Sequence, residues 1–303
     1  MNIPPPAEQA GLPTCPRHPD RETGLRCVRC DRPTCPECLR EAPVGYQCVD
    51  CLGAARRTIR HPVTVAGAKV NSRPIVVPLL IAANLLIFGI TVAQAGSLQD
   101  NQLSPLFERW NLWPPVVASG EWWRLLTSGF LHFGPIHILL NMVALWVIGR
   151  DLEIVLGQAR FIAVYLVSLL GGGVAVFLFG SEEGAVAGAS GAVFGLMGGL
   201  AVAVIRLRLN ATPAIGVIAL NIMISFALPN ISWLGHLGGL VVGAIATAGM
   251  VYPPPRLRMP VQVGTLVALV AVLVGLVLYR YTQFADVECF YDPRLVCGVR
   301  ISG

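Results

Sequence analysis

Long apolar runs fill the chain from about residue 75 to residue 279 and constrain its fold more than any other feature. A helix needs about 20 mainly apolar residues to cross the hydrocarbon core of a bilayer. The runs predict seven membrane helices, at residues 75–92, 135–148, 161–179, 188–205, 214–228, 234–250 and 261–279. Only 13% of the residues are charged, against about 25% in a soluble domain. This composition excludes a soluble enzyme, a disordered chain and a nucleic-acid-binding protein.

The basic residues are distributed unevenly between the two sides of this predicted bundle. If the N-terminus is inside, most of the 22 Lys and Arg residues fall in inner segments, and the outer segments hold most of the acidic residues of the membrane body. Because cytoplasmic segments are enriched in Lys and Arg, we expect a cytosolic N-terminus and an external C-terminus. No basic-then-apolar secretory signal begins the sequence. A composition rich in Ala, Gly and Arg, with a single lysine, favours a bacterial plasma membrane.

Three of the predicted helices carry polar side chains at a similar shallow depth. In this topology the second, fourth and sixth helices all enter the membrane from outside, and their first turns contain His137, Asn141, Ser190 and His236. His137 and Asn141 are four residues apart and share one helix face. Polar and ionisable groups are expensive inside a bilayer and mark functional sites. We therefore interpret these residues as one candidate site at the outer side of the membrane.

The residue types in this site suit acyl transfer. A serine beside a histidine is a nucleophile with its general base, and a second histidine and an asparagine can donate hydrogen bonds to an oxyanion. No Asp or Glu lies near Ser190 or His236 in the sequence, so we expect a dyad rather than a triad. Taken singly, Ser190 could be a small packing residue, and a lone histidine could cap a carbonyl or line a proton path. Their matched depth favours catalysis.

The motifs around these residues resemble those of the rhomboid family of intramembrane serine proteases. They are Glu121-x-Trp123-Arg124-x-x-Thr127, His132, His137-x-x-x-Asn141, the set Gly149, Glu153 and Gly157, Gly188-x-Ser190-Gly191, and His236-x-x-Gly239-x-x-x-Gly243. The resemblance covers about residues 75–250. It implies an all-α polytopic membrane protein with a rhomboid-like six-helix core, followed here by one more helix.

The resemblance also implies roles for the polar residues. Ser190 would be the nucleophile and His236 the base, with His137 and Asn141 flanking the oxyanion. Where many relatives have an aromatic hydroxyl stacked on the base, this chain has Phe194, whose ring can still stack but cannot donate a hydrogen bond. The substrates would be transmembrane segments of other membrane proteins, cleaved near the outer face of the bilayer. No cofactor would be needed for catalysis.

Further positions in these motifs carry structural expectations. Gly239 and Gly243 would let the sixth helix approach the fourth closely, which brings the base toward the nucleophile. His132 would be structural or water-organising. Trp123 and Arg124 would anchor the outer loop at the lipid interface, with the arginine snorkelling to the headgroups.

Two other classes of function stay open at this point. One is a catalytically silent rhomboid-like scaffold that binds client helices, against which the Ser190–His236 pair argues. The other is a proton or small-solute transporter using the histidines, but the sequence shows no internal repeat and no pair of broken helices to support it.

The first 53 residues predict a small cytosolic metal-binding domain. Seven of the nine cysteines lie there, and with one histidine they form four pairs, Cys15-x-x-His18, Cys27-x-x-Cys30, Cys35-x-x-Cys38 and Cys48-x-x-Cys51. Eight such ligands suit two tetrahedral Zn²⁺ ions. The spacing resembles the B-box type of zinc finger, in which alternate pairs share a metal, but sequential pairing is the alternative. The metals would supply the folding energy of so small a domain.

The remaining segments complete a predicted order of domains. Residues 54–73 form a basic linker for anionic lipid headgroups, containing Arg56, Arg57, Arg60, Lys69 and Arg73. The six-helix core occupies 74–250, an inner loop with the seventh helix 251–280, and an external tail 281–303. The zinc domain is either a structural plug or a binder of a cytosolic protein or the inner loops. Its interspersed acidic residues argue against nucleic acid.

Two cysteines, Cys289 and Cys297, lie in the predicted external tail. Cysteines in a non-cytosolic compartment can form disulfides, so a disulfide that closes a small loop is one interpretation. Two free thiols in a flexible tail are the other.

Overall fold

The computed structural model describes residues 11–58, 62–70, 73–180, 184–227, 231–284, 287–292 and 294–299. The chain divides into two units, Met1–His61 and Pro62–Gly303, so the division falls inside the predicted linker. Arg60 of that linker and Leu228, the last residue of the fifth predicted helix, lie outside the described residues.

The N-terminal unit is built from two short antiparallel hairpins and a helix. Its elements are β1 (Thr14–Cys15), β2 (His18–Glu22), a 3-10 turn (Pro36–Cys38), β3 (Leu39–Glu41), β4 (Tyr46–Cys48) and α1 (Val49–Thr58). β1 pairs with β2, and β3 pairs with β4. Among its described residues, Leu39 is the only buried hydrophobic residue that is not a cysteine. The cysteine side chains therefore make up most of the interior of this unit.

The second unit is helical apart from a short C-terminal hairpin. Its helices are α2 (Val76–Ala95), α3 (Pro105–Trp110), α4 (Pro114–Ala118), α5 (Arg124–Thr127), α6 (Gly134–Ala144), α7 (Arg150–Leu156), α8 (Gln158–Phe179), α9 (Ser190–Arg206), α10 (Thr212–Ala227), α11 (Trp233–Val251) and α12 (Arg258–Tyr281). A π-helical turn at Leu145–Gly149 joins α6 to α7. The apolar window of α8 is 67% buried, whereas that of α12 is 17% buried, so α8 is central and α12 peripheral.

Each of the seven predicted membrane segments coincides with a helix. Four helices, α2, α8, α11 and α12, are long and apolar enough to span a membrane alone, and a pair at Arg124–Phe130 and Gly134–Leu156, bent by 95°, gives up to a fifth span. α9 and α10 are apolar but shorter, at 17 and 16 residues. The fold is that of an all-α, multi-pass membrane protein.

Glycines bring α9 and α11 into backbone contact. A Cβ at Gly239 would overlap the backbone of Gly191, and a Cβ at Gly243 would overlap the backbone of Gly195. Lipid tails give apolar side chains no reason to prefer each other, so membrane helices pack closely where residues are small. The predicted close approach of these two helices is confirmed.

Glu153 ties α7 to the beginning of α2. Its carboxylate is 2% exposed and accepts hydrogen bonds from the N–H groups of Ile75, Val76 and Val77 at 2.7, 3.0 and 2.9 Å. The first turn of a helix leaves such groups without intrahelical partners, and a negative charge there is favoured by the helix dipole. This long-range cap gives the glutamate of the motif a structural role.

Part of the predicted linker is folded into the second unit. Val63 and Lys69 form a β-bridge, and Ala66 between them is fully buried. Gln262 on α12 donates from Nε2 to the carbonyls of Ala66 and Met250, at 3.0 and 2.9 Å. Residues 62–70 are therefore a packed hairpin rather than a free tether.

Arg124 corrects one expectation, because its side chain does not snorkel to the lipid interface. It is fully buried and pairs with Glu121 at 2.7 Å. The guanidinium also donates to the carbonyls of Glu108 and Asn111, at 2.7 and 2.9 Å. A buried charge is tolerated when it is paired and hydrogen-bonded. Arg124 therefore holds α5 against the loop around α3, whereas Trp123 is 41% exposed.

The C-terminal tail forms an antiparallel hairpin of β5 (Val287–Asp292) and β6 (Arg294–Val299). Cys289 lies opposite Cys297 in the register, and a disulfide joins them. The hairpin follows Phe284, which is buried and stacks on Phe177 of α8.

Candidate active site

Ser190 is the first residue of α9, directly after a sharp turn of the backbone. Gly188 has a φ of +137°, which residues with a side chain rarely adopt, and its N–H donates to the carbonyl of Ser128 at 3.0 Å. A helix leaves the N–H groups of its first turn without intrahelical partners. The hydroxyl and the N–H of Ser190 therefore lie together at the open end of a helix.

His236 lies in the first turn of α11 and is 8% exposed. Its ring stacks on Phe194, with centroids 4.0 Å apart and an interplanar angle of 11°, so the predicted stacking is confirmed. Phe194 follows Ser190 by four residues, which places both on one face of α9. His236 is thus packed against the face of α9 that carries Ser190.

Ser225 is a residue of this site that sequence reasoning missed. It lies on α10, is 4% exposed, and its Oγ is 2.7 Å from Nδ1 of His236. The same hydroxyl donates to the carbonyl of Asn221 at 2.7 Å. A single hydroxyl in an apolar helix is common, and no helical spacing links Ser225 to a histidine on the next helix. The sequence therefore carries no signal that could have found it.

His137 faces Ser190 across Gly188. Its Nδ1 accepts a hydrogen bond from the N–H of Phe133 at 3.2 Å, so in the neutral ring the proton is on Nε2. A Cβ built on Gly188 would lie 3.0 Å from this Nε2 and 3.6 Å from Oγ of Ser190. An N–H donor is therefore presented close to the serine hydroxyl, where only glycine leaves room for it.

Asn141 and His132 support His137 and the turn before Ser190. Asn141 is 6% exposed, and its amide donates to the carbonyl of His137 at 2.9 Å. The amide nitrogen carries two protons, so this bond uses one of them. His132 is fully buried, packs edge-on against the ring of His137, and has its Nε2 3.5 Å from the N–H of Ala189. This placement supports a structural role for His132.

The structure therefore brings together the first turns of three helices, as the sequence predicts. His137 and Ser190 meet beside Gly188, and His236 packs one turn along α9. Within the described residues, no hydrogen bond joins Ser190 to His236. Such bonds are often long in enzymes without substrate and tighten in the complex.

Gly239→Ala should impair this arrangement without touching a polar group. The new Cβ would overlap the backbone of Gly191, so α11 must move away from α9 and take His236 with it. A misplacement of about 1 Å costs roughly 100-fold in rate, and overpacking costs about 1–3 kcal/mol of stability. Cleavage rate and thermal unfolding would measure the two effects.

The matched control for that substitution is Gly264→Ala on α12, where a Cβ meets nothing within 4 Å. It should keep full activity and gain up to about 1 kcal/mol in stability, since alanine is the better helix former. Equal activity of Gly239→Ala and Gly264→Ala would show that the close helix contact is not needed.

Comparison with known proteins now adds to this geometry. A family model of the rhomboid domain matches residues 119–253. The rhomboid protease GluP of Bacillus subtilis (strain 168) is 34% identical over 221 residues, which are 71% of this chain and 42% of that protein. The chain belongs to the rhomboid family. The putative rhomboid protease YdcA of the same organism is 37% identical over 132 residues, 42% of this chain and 66% of that protein. RHOMBOID-like protein 4 of Arabidopsis thaliana is 30% identical over 201 residues, 56% of this chain and 51% of that protein.

This rhomboid-family chain therefore matches from about two fifths to less than two thirds of the length of these relatives. The matched rhomboid domain begins before α5 and ends after α11. It contains all the polar residues of the candidate site, namely Ser190, His236, His137, Asn141 and Ser225. The N-terminal unit and the C-terminal hairpin lie outside it.

Two groups of potential metal ligands lie in the N-terminal unit. One consists of Cys15, His18, Cys35 and Cys38, and the other of Cys27, Cys30, Cys48 and Cys51; within each group all ligand atoms lie within 4.8 Å of one another. The grouping follows the alternating pattern rather than the sequential one. Both groups have the donor atoms and the spacing to hold a metal ion.

The distances within these groups suit a tetrahedral ion. The sulfurs of Cys30 and Cys48 are 3.8 Å apart, and two thiolates on one tetrahedral Zn²⁺ with bonds of about 2.3 Å lie about 3.8 Å apart. Nδ1 of His18 is 3.3 and 3.4 Å from the sulfurs of Cys35 and Cys38. Hydrogen bonds, the strongest from the backbone of Cys35, lower the pKa of the Cys15 thiol to about 6.

Proposed function

We propose that this protein is an intramembrane serine endopeptidase that cleaves transmembrane segments of other membrane proteins. The observation that carries the proposal is the meeting of His137 Nε2 and Ser190 Oγ beside Gly188, with His236 stacked one turn along the same helix. An imidazole that can accept a proton and an N–H donor thus flank a hydroxyl at a helix N-terminus. Two of the relatives are named as rhomboid proteases or putative ones, which supports the same activity here.

In the first half of the proposed reaction, Oγ of Ser190 attacks the scissile carbonyl and Nε2 of His236 takes its proton. The carbonyl oxygen becomes an oxyanion, which the N–H of Ser190, Nε2–H of His137 and the amide of Asn141 stabilise. His236 then returns the proton to the leaving amine, and an acyl-enzyme forms on Ser190. Water repeats the sequence, with His236 as base, and releases the new carboxyl end.

The substrate class follows from where this site lies. A helix hides its carbonyls in its own hydrogen bonds, so a transmembrane segment must unwind locally before Ser190 can reach one. Glycine lowers helix stability by about 1 kcal/mol relative to alanine. Segments with glycine or similar helix-weakening residues close to the face at which Ser190 lies are therefore the expected substrates.

For the orientation, we propose a cytosolic N-terminus and an external C-terminus, so that the site opens to the outside. The distribution of Lys and Arg supports this arrangement. The disulfide between Cys289 and Cys297 supports it independently, because disulfides persist in oxidising compartments and are rare in the cytosol.

For the N-terminal unit, we propose two structural Zn²⁺ ions, one in each group of ligands. Sulfur-rich sets of four that contain at most one histidine are the usual ligands of structural zinc. With so small an apolar interior, metal binding would supply most of the folding free energy of this unit. The metals take no part in the proposed peptide-bond hydrolysis.

The test of the proposed activity is covalent labelling of the purified full chain with a fluorophosphonate, followed by mass spectrometry of the labelled peptide. Ser190 of the wild type should be labelled, and Ser190→Ala should not. Ser168→Ala is the matched control, since Ser168 is a buried serine of α8 whose hydroxyl bonds to the carbonyl of Val164; it should be labelled like the wild type. An unlabelled wild type, or a label on another serine, would refute the proposal and favour a silent scaffold.

A further inference from the structure

We propose that Ser225 is a positioning residue that fixes the orientation and the tautomer of His236. The inference rests on the proposed function, because it concerns the base of that reaction. It assigns to a neutral hydroxyl on α10 the role that a carboxylate performs in a Ser-His-Asp triad.

The first step is the direction of two hydrogen bonds. Oγ of Ser225 lies 2.7 Å from the carbonyl of Asn221 and 2.7 Å from Nδ1 of His236. A carbonyl can only accept, and a hydroxyl has a single proton. The proton of Ser225 is therefore directed to Asn221, and the bond to His236 must be donated by the ring. Nδ1 of His236 carries the proton in this arrangement.

The second step is the consequence for the other ring nitrogen. A neutral imidazole has one proton, so Nε2 of His236 is left with a free lone pair. That is the form a general base needs in order to take the proton of Ser190. The opposite tautomer would present an N–H to the serine and could not act as a base.

The third step is the confinement of the ring. Phe194 covers one face of His236 at 4.0 Å but has no hydroxyl to bond it. Ser225 holds the Nδ1 edge, and both partners are buried, at 4% and 8% exposed. A face contact and an edge contact together fix the rotation of the ring.

The packing of α10 points to the same role. Among the described residues of this helix, Ser225 is the only one that is buried. An apolar membrane helix thus directs a hydroxyl, rather than an aliphatic side chain, to its most buried position. The hydrogen bond to His236 accounts for that choice.

The bond also supports the charged form of the base. When His236 has accepted the proton of Ser190, Nδ1–H continues to donate to Ser225, and hydrogen bonds to charged groups are worth about 1.5–3 kcal/mol. The hydroxyl adds no charge of its own, which suits an apolar site where a buried carboxylate would be costly.

The experiment compares Ser225→Ala, Ser225→Thr and the control Ser168→Ala in the full chain. Ser225→Ala should lower kcat and the rate of fluorophosphonate labelling about 10- to 100-fold, with KM unchanged. Threonine keeps a hydroxyl and can bond to the carbonyl one turn back, so Ser225→Thr should recover most of the rate. Ser168→Ala loses a buried serine with the same backbone bond and should stay within about twofold of the wild type.

A spectroscopic measurement separates positioning from folding. Nitrogen NMR of ¹⁵N-histidine-labelled protein should show His236 as the Nδ1–H tautomer in the wild type and in Ser225→Thr, and as a mixture in Ser225→Ala. Wild-type kinetics or an unchanged tautomer in Ser225→Ala would overturn the inference while leaving the proposed function intact. Equal losses in Ser225→Ala and Ser168→Ala would overturn it too. A wild type that neither cleaves nor labels would refute the proposed function and this inference with it.

Discussion

Ser190→Ala is expected to lower the cleavage of a reconstituted transmembrane substrate by about four to six powers of ten. The substitution removes the attacking oxygen, and nothing else at the open end of α9 can form the acyl-enzyme. His236→Ala should cost a similar factor, because Oγ of Ser190 is a poor nucleophile without a base. Cleavage would be followed by the appearance of the two product fragments in liposomes.

The double substitution of Ser190 and His236 gives the sharper test. Residues that act as one unit are strongly non-additive, so the double variant should be no slower than either single variant. Both should unfold at temperatures close to that of the wild type, because Ser190 is only partly buried and carries no hydrogen bond that holds the fold. Additive losses in the double variant would mean that the two residues do not work in one step.

The sequence predicted the membrane helices well because each one is a local signal. About 20 apolar residues must satisfy their own backbone in lipid, and only a helix does so within one segment. Topology then placed Ser190, His236 and His137 at one depth. The glycine spacing of Gly239 and Gly243 predicted the close contact that the structure shows.

The sequence could not predict the contacts that join distant segments. Glu153 caps α2 from 76 to 78 residues away in the chain, and Ser225 bonds to a histidine on another helix. Arg124 read as an interfacial side chain, because Trp-Arg pairs suit a membrane surface. Its burial depends on carbonyls at Glu108 and Asn111, and no pattern in the sequence shows that a folded loop will present them.

Residues 62–70 fall short of prediction for the same reason. Their composition indicates a basic linker, and basic segments next to membrane helices usually lie on lipid headgroups. Instead the segment folds back, since Gln262 on α12 binds the carbonyl of Ala66. A single buried amide nearly 200 residues away in the chain thus decides the structure of this segment.

Removal of metal is expected to unfold the N-terminal unit of the full chain. Structural Zn²⁺ contributes about 10–16 kcal/mol in zinc-finger peptides near neutral pH, which matches or exceeds the whole stability of an ordinary domain, about 5–15 kcal/mol. With Leu39 as the one buried hydrophobic residue besides cysteine in the described part of this unit, little else can hold it. Elemental analysis should find two zinc ions per chain, and a chelator should expose the arginines of this unit to trypsin.

Matched cysteine variants tie that result to the proposed ligands. Cys27→Ser should lower the zinc content to one ion or fewer and make the N-terminal unit sensitive to trypsin even without chelator, because a serine hydroxyl does not replace a thiolate on zinc. The double variant Cys289→Ser, Cys297→Ser removes cysteines that form a disulfide instead, so it should keep both ions. Fluorophosphonate labelling of Ser190 should survive chelation, since the second unit has its own buried core. A metal-free chain whose N-terminal unit still resists trypsin would contradict the zinc proposal, and it would require another source of stability for an interior made mainly of cysteine.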